Sequence, residues 1–139
     1  MSEERRQHIE FVQNNIIRMN QLSFQIKGMA VTILTALLGA YAAIPKEDGN
    51  RNNMFMHIAD ISLFIFWCLD SYYLQQERKF RGLYDSIING KKSGIKKYDM
   101  QLGMYQNKEY SFFRCIFSKT EIPYLIVIVL LYIWGKLYK

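Results

Sequence analysis

An otherwise apolar run from about Met54 to Leu74 is interrupted by His57, Asp60 and Asp70. His57 and Asp60 are one helical turn apart, so a helix presents them on one face. A carboxylate at the centre of a bilayer costs about 2.5–3.5 kcal/mol on insertion scales. Residues that carry this cost usually face a bundle interior or a wet cavity and mark ion or proton paths. The chemistry in reach is therefore passage of ions or protons, with His57, Asp60 and Asp70 as pore-lining or intramembrane polar groups. Two other placements stay open. A helix that enters the bilayer only near Ile61 leaves His57 and Asp60 among the headgroups. Asp70 can instead sit at the interface and partner a cytoplasmic Arg or Lys.

Other chemistries find no residues to do them. Cys68 and Cys115 lie far apart, match no metal or redox spacing and are flanked by bulky apolar residues, so both read as packing residues. There is no Gly-rich phosphate loop, no paired-Cys metal site and no nucleophile–His constellation. Arg51 and His57 have the spacing of the Arg-x-His motif of HEPN ribonucleases, but they fall on a turn entering the membrane, where RNA is not expected. His8 is expected on a solvated helix end. The chain is expected to be no enzyme and to carry no cofactor and no metal.

The elements that must position the polar groups are helices in lipid. Among 139 residues, half are apolar, yet the mean hydropathy is −0.08, because apolar and charged residues are sorted along the chain. Residues 28–44, "GMAVTILTALLGAYAAI", hold no charge and form the first membrane helix, at the short end of what spans. This run is rich in small residues. Gly28, Ala36, Gly39, Ala40 and Ala43 are expected to pack against other helices, since small-xxx-small pairs let backbones approach closely. The polar turn 45–53 leads to a second membrane helix over 54–74. A third, over 121–138, holds the apolar run "IPYLIVIVLLYIWG", short for a full crossing unless Lys136 snorkels and Tyr138 sits at the interface. It can instead be a buried or interfacial helix.

Basic residues set the orientation. Lys and Arg are dense over 75–120 and sparse over 45–53, so the N-terminus and the middle segment are expected in the cytoplasm. The net charge of +6 then reads as a face toward anionic lipid rather than nucleic acid. No cleavable leader is expected, because the first 27 residues are polar.

Residues 2–27 read as an amphipathic cytoplasmic helix, with Ile9, Val12, Ile16, Met19, Ser23 and Ile26 on one face. That face can lie on a membrane or pack on a partner helix. With no breaker before residue 28, one long bent helix is expected to enter the bilayer. Residues 63–81 likewise run without Gly or Pro from lipid-grade sequence into charge. Glu77, Arg78, Phe80, Arg81 and Tyr84 extend that helix and are the candidates for receiving a signal or a partner. After the loop "NGKKSGIKK", residues 98–117 are weakly periodic and expected helical. Phe112, Phe113, Ile116 and Phe117 are expected to dock on the membrane surface or on the cytoplasmic helices.

Over about residues 9–85 the chain resembles a group of small bacterial membrane proteins. The positions carrying the likeness are Phe11 to Gln13, Arg18 to Asn20, Ser23 to Phe24, Lys27 to Gly28, Phe66 to Asp70, Tyr72 to Leu74, Glu77 to Arg78 and Phe80 to Tyr84. In layout it is similar to the SLATT and two-helix effector domains of bacterial anti-phage systems, which put a membrane hairpin before a cytoplasmic helix. That resemblance implies an inner-membrane effector that opens a pore or perturbs the membrane in abortive infection, once a cytoplasmic sensor protein triggers it. A third membrane segment departs from the two-helix scheme.

The resulting expectation is an all-α membrane protein and homo-oligomer in the bacterial inner membrane, multi-pass, with its N-terminus cytoplasmic. Its parts are an N-terminal amphipathic helix, a membrane hairpin continuing into a cytoplasmic helix, and a third, C-terminal membrane helix. Lipid is the expected partner and nucleic acid is not. The alternative function is a non-enzymatic anchor or regulatory subunit for a cytoplasmic partner.

Overall fold

A computed structural model describes residues 3–44, 54–89, 100, 102–106 and 110–137. The turn 45–53, the loop after Asn89, Lys108 and Tyr138 lie outside the described residues. Among those described, all regular structure is helical. Helix α1 spans Glu3–Ala43, α2 Met54–Asn89, α3 Phe112–Ile116 and α4 Ile122–Leu137, with a 3-10 turn at Leu102–Met104. Helices α1 and α2 are each long and apolar enough to cross a membrane, by length and composition.

No structural break separates the amphipathic and apolar parts of α1. It ends at Ala43 because Pro45 follows: a residue before proline is driven out of helical backbone. Helices α1 and α2 pack side by side and antiparallel. Arg5 meets Ile87 and Ser23 meets Asp70, so contacts advance along one helix as they retreat along the other. The amphipathic face of α1 is spent on α2, with Val12, Ser23 and Ile26 buried and Ile9, Ile16 and Met19 half-buried.

Two apolar clusters result. One joins Val12 of α1 to Leu83 and Ile87 of α2 and to Tyr105. The other joins Ala30 and Tyr41 to Met56, Ala59 and Leu63, and to Tyr124 and Leu131 of α4. Helix α2 is the common partner, touching α1, the 3-10 turn, α3 and α4.

Of the expected helix over 98–117, Phe112–Ile116 is α-helical and Leu102–Met104 is a 3-10 turn, and the described parts together lie as a strap along α2. Gln75 donates to the Tyr110 carbonyl at 2.8 Å, Tyr105 donates to Ser86 Oγ at 2.9 Å, and Trp67 donates to the Ile116 carbonyl at 3.2 Å. Gly82 makes the strap possible, since a Cβ there would stand 2.5 Å from the Tyr110 hydroxyl and 3.0 Å from the Tyr105 ring. The irregular spacing of Leu102, Tyr105, Tyr110 and Cys115 suits a chain docking by single anchors better than a helix showing one face.

Candidate functional site

The polar residues of the apolar zone divide into two places. The first is a buried knot at the level where the helices leave it. Asp70 is fully buried. One carboxylate oxygen accepts from Ser23 and the other from Lys27, and Lys27 also donates to Ser23 Oγ at 3.0 Å. Lys27 lies 3.5 Å from Oε1 of Glu121, which is also fully buried. One ammonium thus faces two carboxylates, one from α2 and one from the residue preceding α4. The Glu121 oxygens, Ser71 Oγ and the Tyr124 hydroxyl are buried without hydrogen-bond partners among the described residues.

This knot sets a common level for three helices. From Lys27 to Ala43, from Asp70 back to Met54, and from Glu121 to Leu137, each helix covers the same number of residues. At 1.5 Å per residue each rises about 24 Å. Over that rise the bundle wears its apolar residues outside. Val31, Ile61, Phe64, Ile65, Leu130 and Ile133 are between 47% and 62% exposed.

The second place is higher in the belt. Asp60 lies about ten residues, roughly 15 Å, beyond Asp70 along α2. It is half-buried, and its Oδ1 is enclosed without a hydrogen-bond partner among the described residues. His57 is exposed nearer the far end. The structure therefore does not gather His57, Asp60 and Asp70 into one site within a single chain. Asp70 belongs to the knot.

The small residues of α1 face away from α2. Gly28, Ala36, Gly39 and Ala43 are exposed and Ala40 is half-buried, and nothing lies within 4 Å of a Cβ built on Gly28 or Gly39. Within one chain, the α1–α2 contact is made by Ala30, Tyr41 and the partly buried leucines between them.

The candidates for receiving a signal or a partner are partly committed to internal contacts. Buried Glu77 pairs with Arg81 at 2.6 Å, Arg78 donates to Ser118 Oγ at 2.8 Å, Phe80 packs on the cluster around Val12 and Leu83, and the Tyr84 hydroxyl accepts from Gln13 at 3.0 Å. Arg81 keeps most of its side chain exposed. Cys115 is buried beside Arg78, and burial pushes its thiol up, with Arg78 offsetting part of the effect. His8 is buried rather than solvated. Phe113 and Phe117 are exposed, with exposed Arg114 and Lys119 near them in the chain, and Phe117 meets Trp67 edge-on at 6.3 Å.

Sequence reasoning gave Asp70 an Arg or Lys partner without naming Lys27, and it missed Glu121, which shares the Lys27 ammonium. The available signal was each one's place at the edge of an apolar run. Among the described residues no group of acidic, His or Cys side chains could hold a metal ion. Compared with protein-family models, curated proteins and solved structures, the chain matches none.

Proposed function

We propose that the chain is an inner-membrane effector whose copies associate through α1 and open a polar path lined by Asp60, with His57 toward its outer end. The observation that carries this reading is the enclosed Asp60 Oδ1, without a hydrogen-bond partner among the described residues, about 15 Å along an apolar belt of about 24 Å. A group that costs about 2.5–3.5 kcal/mol there is accounted for when a second copy or a hydrated path meets it.

The membrane placement draws on the exposed belt. Only 17% of the most apolar window of α1 and 28% of that of α2 is buried, whereas the core helix of a soluble protein hides such a stretch. A rise of about 24 Å is a few ångströms short of a bilayer core, which local thinning and a snorkelling Lys136 accommodate. Helix α4 starts at the same level and has the same reach, so in this reading it crosses beside the other two. The exposed small residues of α1 are then the contact between copies. The role in anti-phage defence draws on the hairpin-plus-helix layout; the cytoplasmic end of α2 receives the trigger, which raises an opening that crowded copies already show without it.

The test is flux from vesicles containing the purified full chain. Wild type is expected to release a trapped ion, and Asp60→Leu to insert equally but release it several-fold more slowly. Equal release by both removes Asp60 from the path.

A second reading, an anchor or regulatory subunit for a cytoplasmic protein, draws on exposed Phe113 and Phe117 with Arg114 and Lys119. Vesicles that stay tight, together with one stoichiometric partner lost on Phe113→Ala, would favour it.

A further inference from the structure

Immediately on the cytoplasmic side of the knot, α1, α2 and Thr120 enclose an open cavity of about 540 Å³. Three cations line it: Lys27, Arg78 and Arg81. Lys27 is held by Asp70 and Arg81 by Glu77, whereas Arg78 meets the Ser118 hydroxyl and the Cys115 sulfur and pairs with no carboxylate among the described residues. A guanidinium carries five N–H donors, so most of those of Arg78 remain for another acceptor. Asn20 and Thr120 add uncharged hydrogen-bonding groups to the wall, and Phe24, 77% exposed, flanks it.

We propose that this cavity binds a phosphate-bearing anion, with Arg78 as its main ligand and Arg81 and Lys27 as supporting charges. Planar guanidinium groups match phosphate oxygens two at a time, which a lysine cannot do. The protein's own carboxylates occupy the other two cations and leave Arg78 open, so the site takes up an anion without breaking an internal pair. The assignment stands on the cavity alone. Only the source of the phosphate rests on the membrane reading: at the cytoplasmic end of the apolar belt, beside an exposed phenylalanine, a lipid headgroup is in reach, whereas away from a membrane the same groups would take a soluble phosphate.

The test uses the full chain in mild detergent. One arm adds phosphatidylglycerol or phosphatidylcholine and counts retained lipid per chain by native mass spectrometry. The other titrates inorganic phosphate and follows it by phosphorus NMR. Arg78→Gln removes the ligand, and Arg78→Lys keeps the charge without the fork. Arg18→Gln, an exposed basic residue of α1 outside the cavity lining, serves as the control. The expected result is preferential retention of phosphatidylglycerol, cut about fivefold by Arg78→Gln, less by Arg78→Lys and not by Arg18→Gln. Phosphate binding that Arg78→Gln abolishes, with no lipid preference, keeps the site and assigns it a soluble ligand. Wild type that neither prefers phosphatidylglycerol nor binds phosphate overturns the proposal, whatever the variants do. So does an equal loss in Arg18→Gln, which would mean diffuse surface charge.

Discussion

Lys27 offsets two buried carboxylates from two other parts of the chain, so its removal is expected to act beyond its own contacts. Deleting one partner of a buried pair leaves charge without compensation and costs about 3 kcal/mol or more. Lys27→Met should lower the thermal midpoint in detergent sharply, and adding Asp70→Asn should recover part of the loss, because the two sites share one interaction. A Lys27→Met protein as stable as wild type would mean that the knot does not hold the helices together. Cys115 gives a second check at this scale. With its thiol pushed up by burial, it stays neutral and screened near pH 8, so maleimide should label it many-fold more slowly than an exposed thiol until the protein unfolds. Of these residues, Asp70 stands out in the sequence because a carboxylate at the edge of an apolar run needs a reason. Its partners do not. Ser23 and Lys27 are 47 and 43 positions away, and only the antiparallel packing of α1 on α2 brings them together.

At the scale of elements, hydropathy sorting and the absence of breakers are visible in the sequence as two long apolar helices, and the structure has two such helices. The Val12–Ser23–Ile26 face is visible too, but whether it meets lipid or protein is not, since both reward the same periodicity. The strap, described at 102–106 and 110–118, is hidden for a different reason: it docks by isolated anchors, and periodicity reports only regular faces. Gly82 is the residue on which that docking turns. Gly82→Ala should leave α2 helical, since alanine is the better helix former, yet push Tyr110 away and expose the chain at 102–105 and at Tyr110 to limited proteolysis. Unchanged proteolysis would show that the strap tolerates a methyl group. At the end of α2, Arg5 donates to the last carbonyls, at 2.6 Å to Ile87 and 3.2 Å to Ile88. Arg5→Ala should cost about 1 kcal/mol and speed amide exchange in the last turn of α2, without effect near Asp60.

For the whole molecule, three helices leave one charged level and present apolar side chains outward over the same rise. Such a surface in water is a large exposed apolar patch, which soluble monomers rarely show; in lipid it is the expected exterior. The small-residue stripe on α1 was visible as a packing signal, but its direction was not, because small residues pack equally well within a chain and between chains. The most direct measurement of the central claim is membrane potential in living bacteria producing the chain from an inducible promoter, with Asp60→Leu produced at the same level in the same membrane fraction. The account predicts that wild type depolarises the cells and that the variant does so much more weakly. Depolarisation of equal size from both, or none from wild type at a level where the chain self-associates in the membrane, would contradict it.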